Sequence, residues 1–140
     1  MEKLLAKLNY KGQKRIAVIN SGTEFLESLR KAFPDLVIDP EIDPRYPYQF
    51  ILLYVKVVSE IEFYAPLALH NLISDGILWF AYPKKTSKKF CSDIDRDHGW
   101  EILMNASFYP VRQVAIDDDW SALRFRNSRF IKSDLSRFNK

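Results

Sequence analysis

The sequence predicts a single three-layer α/β domain built on a mostly parallel sheet, and three observations carry that prediction. Short apolar runs alternate with stretches of helical periodicity along most of the chain. Phe50–Val55 is almost uninterruptedly apolar, as a strand covered on both faces must be. Near the end, two further apolar runs are joined only by Asp117-Asp118-Asp119-Trp120, a link so short that it demands an antiparallel hairpin.

The elements follow in order. Leu4, Leu5 and Leu8 are spaced for a short helix over Glu2–Leu8, ending near Tyr10-Lys11-Gly12. Arg15–Asn20 is a buried strand. Ser21-Gly22-Thr23-Glu24 has the form of a capping box, with Ser21 as N-cap and Glu24 three residues on. Phe25, Leu26, Leu29, Ala32 and Phe33 give the helix that follows, and Pro34 stops it. Leu36–Ile38 is a second strand, and the three prolines between Asp39 and Tyr48 make a loop. After the third strand, Phe50–Val55, Ser59–Ile73 reads as a helix capped by Ser59 and kinked or split at Pro66. Ser74-Asp75-Gly76 is a turn and Ile77–Ala81 the fourth strand. A lysine-rich loop, Pro83–Ser92, leads to a helix over Asp95–Ala106 with Trp100, Leu103 and Met104 inward. Val111–Ile116 and Ser121–Phe125 are the hairpin strands.

Right-handed crossovers between parallel strands then give a Rossmann-like sheet of order 2-1-3-4-6-5, with the antiparallel hairpin at its far edge. Ligands of such sheets lie at the carboxyl ends of the strands, here near the switch point between the first and third. The domain is expected over 1–126, with 127–140 a basic tail carrying a helical turn around Ser133–Phe138.

Composition narrows the function classes. Apolar residues make up 47% and charged residues 28%, ordinary for a globular domain. No apolar run is long enough for a bilayer span, and Met1–Lys11 mixes charges with leucines in a way no secretory signal does. A lone Cys91 excludes an internal disulfide and a cysteine-rich metal framework. A cytoplasmic location is expected. The net charge of +3 is unevenly placed: six of the 21 basic residues but one of the 18 acids lie from Arg124 onward. The preceding body is mildly acidic and is not expected to bind nucleic acid, which requires clustered positive charge.

Two late segments are distinctive: Trp79-Phe80-Ala81-Tyr82-Pro83-Lys84-Lys85, and Arg112–Phe125 with its DDDWSALRF core. On them the chain resembles a family of small bacterial proteins of unknown function, over roughly Lys7–Phe125. Their common pattern is a strand ending in a PKK-like turn, a helix, and a valine-rich strand entering an acidic hairpin. The resemblance implies a reduced relative of the methyltransferase version of the Rossmann fold. It implies no activity.

Familiar chemistries fit poorly. A dinucleotide site needs G-x-G-x-x-G after the first strand, and an S-adenosylmethionine site a glycine-rich loop; Asn20-Ser21-Gly22-Thr23-Glu24 has one glycine. Glu24 in the first helical turn would also repel a phosphate. Neither cofactor is therefore expected in its usual mode, although Asp39 stands where an acid holds a ribose. Asp93–Gly99 begins like a calcium loop but has His98 and Met104 where glycine and glutamate belong, so helix capping by Asp93 or Asp95 explains the acids and no metal is expected. His70 reads as a partly buried structural residue. Cys91 and His98 do not form a nucleophile motif.

The remaining candidate is the strand rim itself. Tyr82, Lys84, Lys85, Thr86 and Ser87 follow the fourth strand, and Asp117, Asp118, Asp119, Trp120 and Ser121 lie at the same edge, beside Ser21, Gly22 and Thr23. Lysines there would bind a phosphate or carboxylate, and an aspartate would act as a base. The blander reading is that lysines and aspartates pair with each other, worth only about 0–1 kcal/mol on a surface. The favoured function is binding of a small anionic or nucleotide-like ligand at this rim. Its rival is a non-catalytic interaction or dimerisation module, built on the hairpin and tail. The tail's Arg124, Arg126, Arg129, Lys132, Arg137 and Lys140 interleave with Phe125, Phe130 and Phe138 and offer a contact for RNA, DNA or an acidic protein. Docking of Phe130 and Phe138 on the body is the preferred account of them.

Overall fold

Alternating side chains on one central sheet divide the interior in two. The computed structural model describes residues 1–131 and contains six strands: β1 (Arg15–Ile19), β2 (Val37–Asp39), β3 (Tyr48–Tyr54), β4 (Leu72–Pro83), β5 (Phe108–Ala115) and β6 (Trp120–Asn127). The helices are α1 (Glu2–Lys7), α2 (Thr23–Ala32), α3 (Val58–Asn71) and α4 (Glu101–Asn105), with a 3₁₀ turn at Ser128–Phe130. The strand order is β2-β1-β3-β4-β6-β5, as the crossover argument predicted. The first four strands are parallel, and β6 runs antiparallel to both β4 and β5.

One face of the sheet packs Ile16, Val18, Phe50, Leu52 and Trp79 against Leu5 and Leu8 of α1 and Leu29 of α2. The other packs Ala17, Ile19, Ile51, Leu53, Phe80 and Phe125 against Ile61, Ala65 and Ala68 of α3 and Trp100 and Leu103 near α4. Burial on both faces is why β3 and β4 carry near-continuous apolar sequence. Trp79 is 0% exposed, and its indole N–H donates to the Leu8 carbonyl at 2.7 Å, fastening the end of α1 to the sheet.

Several local expectations are corrected. Ser21 does not cap α2: its hydroxyl donates to the Gly22 carbonyl, and Gly22, at φ 85°, is the N-cap. With Asn20 also left-handed at φ 61°, the chain turns so sharply that Ser21 falls one position too early. Pro66 does not split α3, which runs unbroken from Val58, its start bound by Glu60, whose Oε1 accepts the Lys56 and Val57 N–H groups. The buried stripe Ile61-Ala65-Ala68 explains the tolerance, since packing holds the helix where one backbone donor is missing. That stripe also leaves His70 exposed, contrary to the structural role expected of it.

The turn expected at Ser74–Gly76 is absorbed into β4 as a bulge. Tyr48 pairs with Leu72, but Phe50 pairs with Ile77, and Asp75 takes up the excess at φ 54°. A Cβ at Gly76 would sit 2.7 Å from Leu72 Cδ1, so any larger residue there would have to displace the Leu72 side chain. The helix expected over Asp95–Ala106 is confined to Glu101–Asn105, because Asp95–His98 forms a tight turn of its own. Both hairpin strands are longer than expected, and β6 continues to Asn127, one residue past the expected domain boundary. Of the tail, Arg126 binds Asp75 and Ser128 N–H donates to the Ser107 carbonyl, while the helical turn at Ser133–Phe138 lies outside the described residues. No helix among the described residues is long and apolar enough to cross a membrane.

Two outcomes follow from this packing. Trp79→Phe removes the indole donor and leaves a void at a fully buried position, so it should cost about 2 kcal/mol in denaturant unfolding; a loss within measurement error would show that α1 is held by other contacts. Asp75 and Arg126 form a bidentate pair at 2.7 Å, each about a third exposed, and the guanidinium holds the Asp75 carboxyl below its usual range. Its contribution is therefore complete above the unfolded-state value of about 3.9 and lost as pH falls through the lower folded value. Asp75→Asn, which keeps a left-handed side chain acceptable, should lower stability near neutral pH by about 0.5 kcal/mol, with the gap closing as the pH falls below the lowered folded value. A gap that persists in acid would assign the loss to the backbone bulge instead.

Candidate functional site

The carboxyl end of β4 meets the hairpin turn directly. Lys84 N–H donates to the Asp119 carbonyl at 2.8 Å, the Ser87 hydroxyl donates to Asp119 Oδ1 at 2.9 Å, and Lys89 Nζ lies 3.9 Å from Asp119 Oδ2. The lysine loop and the acidic turn are thus joined, with Asp119 as the hinge of the contact. Asp117 turns inward on its own loop: its Oδ1 accepts the N–H groups of Asp119 at 2.8 Å and Trp120 at 2.9 Å.

This junction divides the rim into two clefts on opposite faces of the sheet. On the α4 face, a cleft of about 360 Å³ is lined by Tyr82, Lys84, Lys85, Thr86, Gln113 and Ser121, with the Asp95–His98 turn as its far wall. On the α2 face, a cleft of about 490 Å³ is lined by Ser21, Gly22 and Thr23 together with Tyr54, Phe90, Asp117 and Trp120. The residues expected at one site are therefore split. Ser87 is a structural tie between loop and turn, and exposed Asp118 lines neither cleft.

Asp39 is also elsewhere. Its carboxylate accepts from Arg15 Nε at 2.7 Å and from the hydroxyl of fully buried Tyr48, whose oxygen in turn accepts the Asp43 N–H at 3.0 Å. Burial and the neighbouring Asp39 push the Tyr48 hydroxyl up to about 12, so it stays protonated as a donor. This network pins the proline-rich loop to the sheet and occupies the position expected to hold a ribose.

In the α4-face cleft, Gln113 Nε2 donates to the Tyr82 hydroxyl at 2.7 Å, and burial raises the Tyr82 pKa. Asp95 accepts from His98 Nδ1 and the Asp97 N–H, both at 2.8 Å, and lies 3.3 Å from Lys85; these hold its carboxyl down to about 2. Arg96 pairs with Asp97 at 3.2 Å. Half-buried Lys84 has no ion-pair partner among the described residues, and Ser121, 6% exposed, has no hydrogen bond to its hydroxyl among them. Among the described residues the cleft thus keeps the Lys84 ammonium without a counter-charge and the Ser121 hydroxyl unbonded.

Asp93 does cap a helix, but the wrong one was expected: its Oδ1 accepts the Val58 N–H of α3 at 2.9 Å. Among the described residues no group of three or more His, Cys, Asp or Glu side chains comes together as a metal site. Sequence reasoning missed Gln113, Arg96, Phe25, Phe90 and Tyr54. Only Tyr54 carried a usable signal, as the last residue of a strand at the switch point.

No protein-family model and no curated protein matches the chain, so the resemblance read from the PKK and DDDWSALRF segments rests on those residues alone. Solved structures do match in shape. The ribosomal protein L11 methylase of Lactobacillus delbrueckii subsp. bulgaricus is 14% identical with a TM-score of 0.55, over 89% of this chain and 76% of that one. The N-methyltransferase NodS of Bradyrhizobium japonicum, in complex with S-adenosyl-L-homocysteine, is 13% identical with a TM-score of 0.52, over 82% and 67%. The phosphoethanolamine N-methyltransferase 2 of Haemonchus contortus is 12% identical with a TM-score of 0.59, over 90% of this chain and 37% of that one. At such identities the likeness is one of fold, and the chain has the methyltransferase-like Rossmann architecture.

Proposed function

We propose that this domain binds a small anionic molecule in the cleft on the α4 face, at the carboxyl ends of β4 and β5. The observation that carries the reading is the unpaired, half-buried Lys84 ammonium beside the unbonded Ser121 hydroxyl. A lysine confined in this way has lost part of its hydration and has gained no counter-charge, so a phosphate or carboxylate oxygen would supply what is missing. Tyr82 and Gln113 form a polar floor at hydrogen-bonding reach of each other, and Arg96 stands on the far wall. The Asp95 carboxylate is offset by Lys85 and hydrogen-bonded to His98, which limits its repulsion of an incoming anion.

S-adenosylmethionine and dinucleotides are not assigned to the β1–α2 turn, because the residues there do not fit them. Gly22 is set by its positive φ, Glu24 presents a carboxylate in the first turn of α2, and Asp39 is already held by Arg15 and Tyr48.

Thermal unfolding in the presence of inorganic phosphate, pyrophosphate and citrate, at constant ionic strength, tests the proposal. A saturable rise in melting temperature is expected for at least one of them, abolished in Lys84→Ala and reduced in Ser121→Ala. Silence with all three probes, or an unchanged response in Lys84→Ala, overturns it. A melting temperature that depends on protein concentration but on none of the probes would favour the interaction module instead.

A further inference from the structure

We propose that the second cleft, on the α2 face, binds a small organic cation of the alkylated-ammonium class. Four rings line it in a continuous series: Phe25 and Tyr54 with centroids 5.7 Å apart, Tyr54 and Trp120 at 4.9 Å, and Trp120 and Phe90 at 5.1 Å. Their planes are inclined by 62°, 68° and 51°, so the rings meet one another edge-on or tilted and not in parallel stacks. Aromatic faces carry the negative end of the ring quadrupole and attract cations that have little hydration to lose. One such contact is already made by the protein itself, with Lys56 Nζ 4.7 Å above the centroid of Phe90.

The charged lining has the matching sign. Glu24, Asp117 and Asp119 line the cleft against Lys89, which lies 3.9 Å from Asp119, and the N-terminal residue Met1, so three acids face two cationic residues. Neither Glu24 nor Asp117 has an ion-pair partner among the described residues. Glu24 also counters the partial positive charge at the start of α2 that would otherwise oppose a cation.

A further feature is independent of the carboxylates. Tyr54 is 4% exposed and lines the cleft, yet its hydroxyl has no hydrogen bond among the described residues. Burial and the Asp117 charge raise its pKa, so it remains neutral and polar at the base of the ring set. A volume of about 490 Å³ suits a small ligand. A phosphate is disfavoured by the acids, and a neutral planar ring would gain nothing from them.

Calorimetric titration of the full chain with choline, and with its uncharged isostere 3,3-dimethylbutan-1-ol, separates charge from shape. Choline should bind saturably and the isostere about ten-fold more weakly. Glu24→Gln and Asp117→Asn should each weaken choline by a few-fold and Trp120→Leu by about ten-fold, while Lys84→Ala leaves it unchanged. The exposed Glu24 substitution keeps the test decisive should Trp120→Leu fail to fold. Absence of saturable choline binding, equal affinity for the isostere, or indifference to both Glu24→Gln and Asp117→Asn overturns the proposal. Because Lys84 belongs to the other face, failure here leaves the anion proposal standing, and the reverse also holds.

Discussion

Strand β4 is the constraint on which the rest of this structure depends. It is paired along both edges, parallel to β3 and antiparallel to β6, and Leu78 to Tyr82 are buried on both faces. A backbone so enclosed satisfies its polar groups only through the two ladders, so neither neighbour can slip without exposing them. Trp79 on one side holds α1, and Phe80 on the other meets Trp100 and Phe125. The strand starts in a bulge clamped by Asp75 and Arg126 and ends where Lys84 bonds to Asp119. Both ends are thereby fastened to the hairpin.

That last bond shapes the chemistry. The sheet's carboxyl rim would form one broad crevice if the β4 loop were free, but the junction at Asp119 closes its middle. The two spaces left behind differ in sign. Among the described residues, the α4-face cleft keeps an unpaired lysine over a hydroxyl floor, and the α2-face cleft keeps unpaired carboxylates over aromatic rings. Opposite charges on the two faces of one sheet are separated by packed side chains instead of water, so each cleft retains its own field. At the β1–α2 turn Glu24 adds a carboxylate to the α2-face cleft, while Asp39, at the end of β2, is held by Arg15 and Tyr48.

Much of the fold was legible in the sequence because burial writes itself into apolar runs. Phe50–Val55 and Ile77–Ala81 read as strands since both faces of β3 and β4 need hydrocarbon, and the short Asp117–Trp120 link admitted only a hairpin. The errors fell where tertiary contacts outweighed local pattern. Ser21 has capping chemistry, but left-handed Asn20 and Gly22 moved the helix start past it. Asp93 and Asp95 resemble the start of a helix, yet one caps α3 across the fold and the other closes a turn with His98. His70 sits among leucines in sequence but on the outer side of α3 in space.

The sequence by itself determined most element types, the strand order and the edge of the sheet at which the lysine loop and the acidic turn lie. Those follow from periodicity, crossover handedness and loop length, all of which are local or topological properties. Only the tertiary structure decided which rim residues share a cavity. Side chains alternate between the two faces of a strand, so neighbours such as Trp120 and Ser121 line different clefts, and among the described residues Lys84 has no ion-pair partner while Lys85 has one. Pairing and exclusion of this kind depend on distances between segments remote in the chain, and no spacing within a single segment encodes them.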